Sequence, residues 1–194
     1  MLPFRSLRVV VVAFATVLVA CGDPTKPIAS SPNLPLTFSL YALTGTPSGT
    51  VNAINFFAGP RRVDADLDFD VALDLDPNGQ VVVYPIRAVA GPLGSTATRI
   101  GLQKMTGTFD ALREAPKTGY DTLSILTVAP GTPIAVQLVN LFSNVCAFSL
   151  NGISMYGKFV VDSIDQPARR LFVRTVTDPN CGFRSLVPDS IPTF

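Results

Sequence analysis

Short runs of apolar and β-branched residues, broken by Gly, Pro, Asn or Asp, recur from Leu36 onward and leave little room for helices. A helix needs apolar residues at every third or fourth position over roughly ten residues, whereas a strand needs only a few in alternation. The runs predict strands over 36–43, 51–57, 66–75, 80–89, 99–104, 122–128, 134–142, 147–149, 153–164 and 170–177. Turn chemistry falls in the breaks, at Thr46-Pro47-Ser48-Gly49, Asp76-Pro77-Asn78-Gly79, Ala129-Pro130-Gly131 and Asp165-Gln166-Pro167. Only 108–115, closed by Pro116, reads as helical, with room for one turn or two. The expected fold is all-β: a single antiparallel β-sandwich, Ig-like or jelly-roll-like. A closed β-barrel is the alternative, because a list of strands does not fix closure.

The amino terminus has a different character. Arg5 and Arg8 precede an apolar run from Val9 to Val19, followed by Ala20 and Cys21. A basic start, a short apolar core and a small residue before the cut describe a secretory signal, and the core is too short to cross a bilayer as a helix. Leu18-Val19-Ala20-Cys21 resembles the lipobox of bacterial lipoproteins. That resemblance covers residues 1–21. It implies cleavage before Cys21, a diacylated thiol and an acylated new amino terminus, with palmitate among the acyl chains. Each buried methylene adds about 0.8 kcal/mol of membrane affinity, so two or three chains hold a domain firmly. Gly22 rather than Asp follows the lipidated Cys, which under the enteric sorting pattern favours the outer membrane or cell surface. Residues 22–35 carry Pro24, Pro27, Pro32 and Pro35 with Ser30 and Ser31, an extended composition that reads as a tether. The chain thus divides into a signal (1–20), a lipidated Cys with its tether (21–35) and one folded domain (36–194).

Composition excludes several functions. The 15 basic and 14 acidic residues nearly balance, and Arg5 and Arg8 leave with the signal. The pairs Arg61-Arg62 and Arg169-Arg170 stand alone, without the basic face that nucleic acid or an anionic membrane patch requires. The chain has no His, which removes Ser-His-carboxylate and Cys-His hydrolases and His-based metal sites. Glu114 is the one Glu, and no Trp is present to stack on a sugar ring. No catalytic residue, metal ligand or cofactor is therefore assigned. Three cysteines in an exported chain resolve into the lipid site at Cys21 and a disulfide between Cys146 and Cys181. Closing that 35-residue loop is worth about 3.8 kcal/mol on the chain-entropy model. The alternative is two buried free thiols.

One segment could carry chemistry. Asp64, Asp66, Asp68, Asp70, Asp74 and Asp76 alternate with Leu67, Phe69, Val71, Leu73 and Leu75. In a strand the apolar set packs inward and the carboxylates line the other face, about 7 Å apart along the chain. Such a row needs solvent, a basic neighbour or a cation, and Arg61, Arg62, Arg87, Arg99 and Lys104 are candidate partners. Asp74-Leu75-Asp76-Pro77-Asn78-Gly79 matches the opening of an EF-hand-type calcium loop, with Asp74, Asp76 and Asn78 as prospective ligands. The twelfth position is Pro85 where a Glu is needed, so a hairpin turn with Gly79 left-handed explains more. Tyr41, Tyr84, Tyr120 and Tyr156 read as core rather than a ligand platform. The expectation is a non-catalytic, lipid-anchored binding or structural module that engages an envelope or extracellular partner. A calcium-dependent adhesion or carbohydrate-binding module and a carboxylate-based polysaccharide hydrolase are the alternatives.

Overall fold

The computed structural model describes residues 28–91, 98–140, 146 and 153–193. The strands, in chain order, are β1 (Leu34–Tyr41), β2 (Ala53–Asn55), β3 (Gly59–Arg61), β4 (Val71–Leu75), β5 (Val81–Pro85), β6 (Thr98–Lys104), β7 (Leu126–Val128), β8 (Ile134–Asn140), β9 (Met155–Asp165) and β10 (Arg170–Asp178). They form two antiparallel five-stranded sheets, ordered β1-β10-β9-β8-β6 and β3-β2-β4-β5-β7, which do not close into a barrel. The fold is a β-sandwich. The two longest strands, β9 and β10, lie at the centre of the first sheet, with a bulge between Phe172 and Val173.

Alternation explains the interior. Leu40, Ile100, Leu102, Val136, Phe159, Val161, Leu171 and Val173 from the first sheet meet Ile54, Val71, Leu73, Val81 and Val83 from the second, with Phe56 and Phe69 from the segments that join β3 to β2 and to β4. Each such side chain, fully buried, contributes about 1.5–3 kcal/mol. The rings of Phe56 and Phe159 cross the gap at 5.7 Å between centroids. The Thr177 hydroxyl, inside the same gap, donates to the Phe56 carbonyl at 2.9 Å.

The first sheet is covered on its outer face as well. Residues 155–161 of β9 are all buried, although only alternate ones face the sandwich interior. Val160 and Val176 pack outward beneath Phe109, and Tyr156 packs beneath Ala115 and Leu186. A non-strand layer, made of residues 105–121 and the segment after β10, covers these positions. Within it the expected helix at 108–115 is reduced to one turn, in which Leu112 N–H donates to the Thr108 carbonyl at 3.3 Å. Ala115 N–H donates instead to the Arg184 carbonyl, making the bridge between Glu114 and Ser185 that replaces a second helical turn.

Other departures have similar local causes. The Asn55 side-chain carbonyl accepts from Phe57 and Ala58 N–H, ending β2 before position 57. Asp121 accepts from Leu123 and Ser124 N–H, so β7 starts at Leu126 rather than 122. The strand expected over 80–89 stops at Pro85. A short helix, α1 (Ile86–Ala90), follows it, and Ile86 N–H donates to the Asp70 carbonyl. The unexpected β3 contains Pro60, which an edge strand tolerates because one row of its N–H groups is unpaired. The expected strand at 147–149 lies outside the described residues.

The packed structure also begins upstream of Leu36. Leu34 and Pro35 belong to β1, an edge strand, and Ala29 and Asn33 are buried. The proline-rich stretch read as a tether to residue 35 is therefore part of the domain over its last residues.

Candidate functional site

The acidic segment does not form the carboxylate face that its alternation suggested. Leu67 adopts φ 52°, which breaks the extended backbone, and only residues 71–75 form a strand. That strand is buried on both faces, so Asp70 and Asp74 point into protein rather than solvent. Asp70 accepts from Phe56 N–H at 2.8 Å, and burial pushes its carboxyl up to about 6. Asp74 accepts from the Arg169 guanidinium at 3.0 Å, from Leu75 N–H at 2.8 Å and from the Thr44 hydroxyl at 2.9 Å. Arg169 also donates to the carbonyls of Thr44 and Leu75, so this ion pair ties the β9–β10 turn of one sheet to β4 of the other.

Of the remaining carboxylates, Asp64, Asp68 and Asp76 have partners, while Asp66 is exposed and contributes its N–H to Asp64 at 3.2 Å. Asp68 pairs with Arg61 at 2.9 Å and accepts from Asn55; Asp64 lies 3.8 Å from Arg62. Arg87, Arg99 and Lys104, the other expected partners, form no ion pair with this segment among the described residues. Asp76 accepts from Asn78 and Gln80 N–H, and Gly79 sits at φ 76°. The Asp76–Gly79 stretch is thus the hairpin turn joining β4 to β5, with Asp76 closing it. Asp74 and Asp76, two of the three prospective calcium ligands, thus accept from protein donors. No group of three or more acidic or Cys residues is placed to hold a metal among the described residues.

A second polar cluster lies where the amino-terminal strap meets the carboxyl-terminal segment. Cys146 and Cys181 form a disulfide, with Cα atoms 5.5 Å apart. Beside it, the Asn180 carbonyl oxygen accepts from both Ser30 and Ser31 N–H, at 2.9 and 3.1 Å. Its amide donates to the Ser31 carbonyl and to Asp178. Asn33 works from the other side, donating to the carbonyls of Ser185 and Val187 at 2.8 Å each. The second oxygen of Asp178 is buried without a hydrogen-bond partner, and burial raises this carboxyl to about 6 against the hydrogen bonds from Asn180.

A cleft of about 410 Å³ runs between the 109–115 turn and the carboxyl-terminal segment, with Arg113, Glu114, Arg184 and Thr193 on its walls. Arg184 binds the Glu114 carboxylate and donates to the Ala115 carbonyl, so the one Glu is engaged as an ion-pair partner. A smaller cavity of about 170 Å³ adjoins it, lined by Asp110, Arg113, Lys158, Leu186, Val187 and Pro188. Lys158 is 1% exposed and donates to the Phe109 and Leu112 carbonyls at 2.8 Å each. Loss of hydration lowers the Lys158 pKa; Asp110 acts in the opposite sense. These walls offer cationic donors and paired carboxylates. They suit holding an anion better than activating a nucleophile.

No protein family model, curated protein or solved structure matches this chain. Lys158, Arg169, Asn33 and Asn180 are the polar residues that sequence reasoning missed. Lys158 had a signal, as a lone charge inside the apolar run Met155–Val161. Arg169 sits in a turn where nothing local marks a partner 95 positions away.

Proposed function

We propose that this is an exported lipoprotein, held in the outer membrane or at the cell surface through acylated Cys21, that presents its sandwich as a non-catalytic binding or structural module. The observation that carries this reading is the closeness of the anchor to a clamped strap. The chain from Cys21 to Ser30 reaches at most about 30 Å, and from Ser30 onward the backbone is bonded to Asn180 and then paired in β1. A domain attached this way is held at its strap within about 30 Å of the bilayer, which suits display. Lack of catalysis is supported by the missing His and by carboxylates spent on backbone N–H groups and guanidiniums. The calcium-dependent and hydrolase readings draw no support from that geometry.

Mass spectrometry of the amino-terminal peptide from membrane-extracted protein tests the anchor. Cys21 is expected as the first residue, carrying a diacylglyceryl group and an amide-linked acyl chain. Cys21→Ala is expected to lose detergent-phase partitioning. An unmodified Cys21, or cleavage elsewhere, overturns the proposal.

A further inference from the structure

Lys158 projects from the outer face of β9 between Tyr156 and Val160, under the turn at 109–112. Two of its three N–H donors are used by the Phe109 and Leu112 carbonyls, and the ammonium lies 4.4 Å from the Phe109 ring centroid. It forms no ion pair among the described residues. The acids nearby are turned elsewhere. Asp110 pairs with Arg174 at 3.3 Å, and Asp162 holds the same guanidinium at 2.6 Å. Arg113, whose charge also acts on Lys158, has no carboxylate partner among the described residues. Around this point Lys158, Arg113 and Arg174 therefore face Asp110 and Asp162, which leaves one positive charge in excess at the wall of a cavity.

An ammonium removed from water is stable when paired, and an unpaired one leaves a counter-charge to be supplied. We infer that the cavity between the 109–113 turn and residues 186–188 binds a single oxyanion group, a phosphate or carboxylate, of an anionic ligand. Lys158 Nζ donates its third hydrogen bond to the group, and Arg113 provides a charged fork at the rim. At about 170 Å³ the cavity takes the head of a ligand, and the adjoining 410 Å³ cleft, which shares Arg113, takes its body. This deepens the module reading by naming a ligand class; it does not depend on Cys21 being acylated.

The test is calorimetric titration of the detergent-solubilised protein with inorganic phosphate and then acetate at constant ionic strength, paired with flotation on phosphatidylglycerol and on phosphatidylcholine vesicles. Saturable binding by either anion is expected, weakened at least about tenfold in Arg113→Ala, as for loss of one charge-assisted hydrogen bond. Arg113 is exposed, so this variant keeps the fold; Lys158→Met, if it folds, is expected to abolish binding. Preference for phosphatidylglycerol that disappears in Arg113→Ala assigns a lipid headgroup, and anion binding without vesicle preference assigns a soluble ligand. The site is overturned if neither anion binds and flotation shows no preference for phosphatidylglycerol, or if Arg113→Ala behaves like the native protein.

Discussion

At the scale of single residues, carboxylates and carboxamides do structural work that their sequence pattern disguised. Asp70 and Asp178 have carboxyls raised to about 6 from 3.8, so between those values the native state binds more protons than the unfolded chain. Stability should therefore rise as pH falls from 6 towards 4, with no further gain above or below that window. Asp121, lowered to about 2 by hydrogen bonds from Ser124 and then Leu123, opposes this only below about pH 4. Asp70→Asn keeps an acceptor for Phe56 N–H and removes part of the slope; adding Asp178→Asn should flatten it. Thermal midpoints from pH 4 to 7 read this directly, and an unchanged slope in the double variant contradicts the assignment. The Asp74–Arg169 pair makes a different prediction. Asp74 is buried and Arg169 half-buried, so Asp74→Ala, which leaves the guanidinium and the Leu75 N–H without their acceptor, should cost about 2 kcal/mol in urea unfolding. Asp74→Ala with Arg169→Met should cost less than the sum of the two single changes.

At the scale of elements, alternation placed the strands and misplaced several ends, and the misplaced ends share a cause. Where Asn55, Asp64 and Asp121 offer an acceptor to N–H groups two or three residues ahead, the backbone turns instead of extending. The period of two in 64–76 was real, but it spanned a turn and a doubly buried strand, for which alternation has no meaning. The hairpin at Asp76–Gly79 was legible because Asp-Pro-Asn-Gly states its turn chemistry locally. Gly79→Ala should destabilise by about 1 kcal/mol or more. Its φ is positive, and a Cβ would stand 2.6 Å from the Gln166 amide of the β9–β10 turn. Gln166→Ala in the same background should recover the steric part and leave the backbone part, a separation that chemical denaturation of the three variants resolves.

At the scale of the whole molecule, the two-sheet sandwich followed from the sequence, whereas the coil layer over β9 and the strap clamped by Asn33 and Asn180 did not. The strap depends on residues about 150 positions apart and the layer on residues about 50 to 70 apart meeting through single side chains, for which no local periodicity exists. The cavity at Lys158 belongs to that layer, which is why the candidate site was hidden while the fold was not. The Cys146–Cys181 disulfide pins the same end of the domain, and replacing both with Ala should cost about 2–5 kcal/mol. The central claim is that the segment at Ser30 and Ser31 is fixed to the domain rather than hanging from it. Hydrogen exchange at the Ser30 and Ser31 amides tests it most directly. Protection in the native protein that is lost in Asn180→Ala, while β9 and β10 stay protected, is the predicted result. Exchange at free-peptide rates in the native protein would mean that the domain swings on a loose tether.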